Sequence, residues 1–293
     1  MMIYFGKYCL SGKIVFLVCL LLTTGIRSAY AQKSSLLWEI SGKGLGQPSY
    51  LYGTFHLLCQ QDLRLSDTTQ AKFRQTEQLY LELDMDDPQE MGVMMTQMYM
   101  PKQTLKDFIS AEDYAYLVHF FQDSLHNNLD LMNRMKPFVL MSMVYPKLLG
   151  CSPGSPELVF MQQAASQKKP IMGLEKATDQ FAIFDKIGPQ KGAKQLVEFV
   201  KEYPKTKQEF HEMLAIYQKH DIETLYERSV KQPEYAEQID DLLWKRNANW
   251  IPIIESAIAQ KPTFIAVGAG HLGGSKGVIA LLKARGYQVN PIL

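Results

Sequence analysis

Two short segments lying more than 200 residues apart share one form, in which a strand-like run is followed by glycine, two further residues and a histidine. Gly53-Thr54-Phe55-His56 closes the run Ser49 to Thr54, and Gly268-Ala269-Gly270-His271 closes the run Thr263 to Val267. Glycine after a strand permits an unusual backbone turn, and a histidine just beyond a strand tip sits where α/β sheets gather ligand-binding groups. One such tetrapeptide carries almost no weight. Two copies in equivalent settings, in a chain with six histidines, carry more, and the other four (His119, His126, His211 and His220) fall in helical or loop segments without glycine partners. A carboxylate lies at hand in the alternating run Gln78 to Asp84, which puts Leu79, Leu81 and Leu83 on one face and Tyr80, Glu82 and Asp84 on the other. Glu82 is central on that polar face, whereas Asp84 opens the stretch in which Asp86 or Asp87 suits a helix N-cap ahead of Pro88. Two neutral imidazoles with a carboxylate form a ligand set for Zn, Mn, Fe or Co that leaves positions open to water or substrate. A metal on His56 and His271 would polarise a carbonyl and lower the pKa of its water to about 7, with Glu82 as a further ligand or as general base.

For these groups to meet, both ends of the chain must feed one sheet. Leu36 to Ser41 (LLWEIS) and Ser49 to Thr54 (SYLYGT) read as a β-hairpin around the glycine-rich turn Gly42 to Pro48, followed by a helix near Thr68 to Thr76. From about Pro88 to Gln260 apolar residues recur at helical spacing, over Met91 to Met100, Ala111 to Leu125, Pro137 to Leu149, Pro156 to Gln167, Lys176 to Ile187, Lys191 to Tyr203, Lys207 to Lys219 and Tyr235 to Ala259. Only Lys169 to Leu174 (KPIMGL) interrupts them as a short strand. The C-terminus turns β-α-β, with a strand at Thr263 to Val267, a glycine-rich turn to Gly274, a helix at Ser275 to Ala284 and a strand at Tyr287 to Leu293. The expected class is α/β, a single domain over residues 32–293 whose mixed sheet is built from N- and C-terminal strands and covered by a large helical insertion.

Composition narrows the function classes. The 293 residues are 46% apolar and 21% charged, which excludes a disordered chain or a disulfide-dense mini-protein, and a net charge of +1 offers no surplus of Lys or Arg for nucleic acid. Residues 1–31 have the three parts of a secretory signal: Lys7 and Lys13 without an acid, the apolar run Ile14 to Leu22, and the small-residue pattern Ala29-Tyr30-Ala31. Nine apolar residues fall short of the roughly 20 that a spanning helix needs, so no membrane span is expected after cleavage. The protein is thus expected to be exported, periplasmic or extracellular. Cys9 and Cys19 leave with the signal; Cys59 and Cys151, both in loop-like contexts, are expected to pair in an oxidising compartment.

The segments LLWEISGKG…SYLYGTFHL, LELD, the GLE of Gly173 to Glu175, Arg246-Asn247 and the closing VGAGHLGGSKGVIALLKARGYQV resemble the TraB/GumN family, which also includes the pheromone-shutdown and Tiki proteins. The resemblance covers nearly the whole mature chain, and the two G-x-x-H motifs are its specific part. It implies a split α/β fold in which His56, His271 and Glu82 meet, and a divalent metal such as Mn, Co or Zn serving cleavage of a peptide or protein substrate. It also carries Arg246 and Asn247 into the site as groups facing a substrate carboxylate or a developing oxyanion, with Gly53, Gly268 and Glu175 as expected substrate-binding positions. Glu157, in Ser155-Pro156-Glu157, stays open between a helix-start acid and a site residue. The competing expectation, from another class, is a metal-, haem- or peptide-binding protein that turns nothing over.

The signal reading predicts a mature N-terminus at Gln32. Mass spectrometry of the protein from its native host checks it, and intact residues 1–31 in a membrane fraction would refute it.

Overall fold

Among the described residues eight strands form, the six longer ones carrying aromatic, leucine, isoleucine or valine side chains: β1 (Leu37–Ser41), β2 (Ser49–Thr54), β3 (Leu58–Cys59), β4 (Gln78–Leu83), β5 (Pro153–Gly154), β6 (Ile171–Glu175), β7 (Thr263–Gly268) and β8 (Gln288–Ile292). They belong to a computed structural model that describes residues 35–232 and 237–293. The expected signal segment, and the first residues of the helix expected from Tyr235, lie outside the described residues. Six strands make one mixed sheet in the order β6-β4-β7-β2-β1-β8. β6, β4, β7 and β2 run parallel, while β1 is antiparallel to both β2 and β8.

The parallel strands follow from the helices between them. A parallel neighbour needs a crossover of a dozen residues or more, and this chain places 208 residues between the last residue of β2 and the first of β7. β7 has Thr263, Phe264, Ile265, Ala266 and Val267 all buried, as a strand covered on both faces should. Its alternate residues feed two cores. Ile265 and Val267 join Trp38, Ile40 and Leu51 beneath Trp250, Ile254 and Ile258 of the helix Lys245–Gln260. Phe264 and Ala266 join Leu79, Leu81 and Tyr50 against Phe73 of the helix Asp67–Arg74 and Phe160 of the helix Pro156–Ser166. A third core, built around Leu117, Phe121, Leu140 and Leu196, holds the middle helices to one another.

The helical insertion departs from expectation in places that have local causes. Pro137 to Leu149 divides into Pro137–Ser142 and Tyr145–Leu149, because Pro146 has no N–H to continue the first helix but fits the opening turn of a second. The helix Ile222–Val230, absent from the sequence reading, is short and starts on the Asp221 side chain, which accepts from Thr224 N–H. The last helix begins only at Val278, since Gly273, Gly274 and Gly277 prolong the turn after β7. Asp87, one of the two candidates, is the N-cap of the helix Pro88–Gln97.

The ladder of β3 with β5, two residues on each side, is too short to leave a periodic signal. Cys59 and Cys151 form a disulfide beside it, with Cα atoms 5.7 Å apart, and Gln60 N–H donates to the Ser152 carbonyl at 2.9 Å. Together they staple the loop after β2 to the loop before the helix Pro156–Ser166. With the cysteines 92 positions apart in the sequence, the chain-entropy model gives about 4 to 5 kcal/mol of stabilisation. Denaturation of oxidised against reduced, alkylated protein should show a loss of that order, and equal midpoints would contradict the staple.

Candidate functional site

All four parallel strands end at the same edge of the sheet, and β7 lies between β2 and β4. Thr54 is level with Gly268, and Leu81, one residue before Glu82, is level with Ala266. The two G-x-x-H turns therefore leave neighbouring strands side by side, with Glu82 one strand away. Three atoms surround the point that a Cβ on Gly268 would occupy: Glu82 Oε1 and His56 Nε2 at 3.3 Å each, and His271 Cδ2 at 3.6 Å. Gly268 is needed for this approach, and its N–H donates to Glu82 Oε1 at 2.8 Å.

His271 is 5% exposed, and its partners define its tautomer. Asn247, wholly buried, donates its amide nitrogen to the carbonyls of His271 and Lys276, so its Oδ1 accepts from His271 Nδ1–H at 2.6 Å. Nε2 then carries the lone pair, and Arg246 Nη1 stands 3.2 Å from it. Burial, with the nearby Arg246 and His56 charges, lowers the pKa to about 3 against the pull of Glu82, so this ring is neutral across the physiological range.

His56 is the opposite case. Its side chain is 66% exposed, on a cavity. Nδ1 lies 2.6 Å from Glu157 Oε1, which also accepts from Thr54 Oγ1 at 2.6 Å, while Ser155 Oγ donates to Glu157 Oε2. Among the described residues Nε2 has no hydrogen bond, and Glu82 Oε1 stands 3.8 Å away. Desolvation against the cavity wall opposes the charge, but the Glu157 hydrogen bond and the charges of Glu82 and Glu157 outweigh it and raise the pKa to about 9. Glu157 is thus both things its sequence left open, an acid in the first turn of the helix Pro156–Ser166 and the partner of His56.

Arg246 lies behind these groups, 12% exposed, rather than at a rim open to substrate. Nη2 reaches Glu82 Oε2 and Glu175 Oε1, both at 2.5 Å, Nε reaches both oxygens of Glu175, and Nη1 donates to the Leu242 carbonyl at 3.0 Å. Burial disfavours the Glu82 charge, yet the guanidinium, the two imidazoles and the Gly268 N–H hold the carboxyl well below its usual range. Glu175 also accepts from Trp250 Nε1 and Gln180 Nε2, so the protein itself occupies both of its oxygens. Gly53 is a packing position, where an added Cβ would meet Leu272 at 2.8 Å and Ala269 at 3.1 Å, and its carbonyl accepts from Tyr217 OH. Thr54, Gln180 and Trp250 belong to the network without having drawn attention in the sequence. Only Thr54, inside its G-x-x-H motif, carried a signal there.

The cavity has a volume of about 700 Å3. Thr54, His56, Gly268, Gly270 and His271 form one end, and Met141, Tyr145, Phe199, Phe210 and Met213 contribute apolar walls. Glu198, Glu202 and Glu209 also line it, and no Lys or Arg does so among the described residues.

A family model described as TraB/PrgY/gumN matches residues 36–291 of the chain. The chain belongs to the TraB/PrgY/gumN family. No curated protein and no solved structure matches it.

The metal that membership of the TraB/PrgY/gumN family suggests can be tested against these donors. Among the described residues no group of three or more His, Cys, Asp or Glu side chains is arranged to hold an ion. The lone pair of His271 meets a guanidinium, both oxygens of Glu82 are committed, and the His56 ring favours its protonated form. As arranged, His56, His271 and Glu82 do not fit a shared metal.

The His56 pair makes a pH prediction. A folded-state pKa of about 9 against an ordinary 6.5 means that the stabilisation is complete below pH 6.5 and lost as pH rises through about 9. In Glu157→Gln the His56 midpoint, followed by NMR of the ring protons, should fall towards 6.5. An unchanged midpoint would show that Glu157 does not hold the charge.

Proposed function

We propose that this protein is an exported hydrolase of the acid–base type, acting on a peptide or protein carbonyl with His56 as the proton carrier. The reading rests on one observation: an imidazole held through Nδ1 by a largely buried carboxylate, with Nε2 left over at the end of a cavity large enough for several side chains. Neutral His56 takes a proton from water as the water oxygen bonds to the carbonyl carbon. The imidazolium then returns that proton to the leaving nitrogen as the C–N bond breaks. Glu157 keeps the ring in one tautomer and stabilises its charged form, the role a carboxylate plays behind a catalytic histidine. Arg246 and Asn247 fix His271, and Glu82 holds the Gly268 N–H and the guanidinium, so their polar atoms are spent within the protein.

The apolar walls and the acidic side chains favour a neutral or cationic amphipathic ligand and disfavour nucleic acid. Export is supported by the Cys59–Cys151 pairing, because disulfides persist in oxidising compartments.

Peptide libraries incubated with the purified protein, with cleavage followed by mass spectrometry, test the reading. The rate should climb with pH towards about 9, where half of His56 is neutral, and His56→Ala should lower it about 10²- to 10⁴-fold. Peptides that bind without being cut would replace the hydrolase with a binding protein, and cleavage undiminished in His56→Ala would remove its mechanism.

A further inference from the structure

Where the ligand set was expected to receive a cation from outside, the fold already holds one. The Arg246 guanidinium bridges Glu82 and Glu175 and caps the lone pair of His271 Nε2, so it touches two of the three groups expected to bind a metal. It also lies over Trp250, with Cζ 4.9 Å from the ring centroid, which suits a planar, weakly hydrated cation. We infer that Arg246 is the resident cation of this site, standing in the place of a divalent metal, and that the native protein binds no such metal at His56, Glu82 and His271.

Three features carry the inference. His271 has one lone pair to give, because Asn247 fixes the proton on Nδ1, and that lone pair is aimed at Nη1. Both Glu82 oxygens already accept hydrogen bonds, Oε2 from the guanidinium and Oε1 from the Gly268 N–H. A dication brought beside a fixed guanidinium would meet like-charge repulsion where water screens poorly.

The surroundings otherwise suit a metal. Asn247 behind His271 is the kind of partner that orients a ligating imidazole, and His56 Nε2, Glu82 Oε1 and His271 Cδ2 surround one point above Gly268. Removing the guanidinium should therefore create a metal site, with Glu175 adding a second negative charge. The inference concerns ion binding and stands apart from whether the site turns anything over.

The test uses chelator-treated protein and Co2+, Zn2+ or Mn2+ added singly, with uptake measured by equilibrium dialysis and the Co2+ ligand-field spectrum. Wild-type protein should take up no stoichiometric metal. Arg246→Met should bind one equivalent of Co2+ at least about tenfold more tightly than wild type, about 1.4 kcal/mol, and lose it when combined with His271→Ala. Arg246→Lys, which keeps a cation, should stay metal-free. One equivalent bound by wild type and lost in His271→Ala would overturn the inference, as would a folded Arg246→Met that binds no better than wild type. Should Arg246→Met fail to fold, wild type and His271→Ala decide the matter alone.

Discussion

The insertion of β7 between β2 and β4 is the constraint on which the site depends. It brings a segment from the end of the chain between two segments from its beginning, all pointing the same way. Parallel alignment puts the C-terminal tips at one edge, and the shared register brings the two G-x-x-H turns to one level. A one-residue slip would exchange Ile265 and Val267 with Phe264 and Ala266 between the two cores, so the packing of both sheet faces enforces the alignment of the site.

Behind that edge the protein buries charges that would be costly alone. Glu82, Glu175 and Arg246 leave water together, and the arrangement is tolerable because nearly every lone pair and proton has a partner: Gly268 N–H, Trp250 Nε1, Gln180 Nε2 and the Leu242 carbonyl complete the set. Two histidines at matching places in their motifs then diverge. His271, enclosed and beside a guanidinium, stays neutral, while His56, open to a cavity and beside Glu157, keeps its proton. The motifs share only their glycine and histidine, and the difference comes from the groups around each ring, Glu157 with Thr54 at one and Asn247 with Arg246 at the other.

The third contribution is the staple of β3, β5 and the disulfide. His56 is mostly exposed and not fixed by packing. Its carboxylate partner comes from a helix start about 100 residues away, and the two loops that carry them are tied together within a few residues of both.

Much of the fold was legible in the sequence because it rests on periodicity. The hairpin, the alternation of β4, the buried run of β7 and most of the long helices each leave a local pattern, and so does the pairing of His56 with His271 as a recurring strand-glycine-histidine form. What the sequence could not reveal is non-local or too short to repeat: the two-residue ladder of β3 and β5 and the approach of Glu157 to His56. The resemblance carries Arg246 and Asn247 into the site as groups facing a substrate. Their direction is set by which helix face packs on the sheet, and in the folded protein that face turns the guanidinium inward, onto Glu82, Glu175 and His271. Residue types determined what chemistry the chain could assemble. Only the tertiary structure decided which lone pairs remain free to perform it, because a hydrogen bond between residues 164 apart has no trace in local spacing.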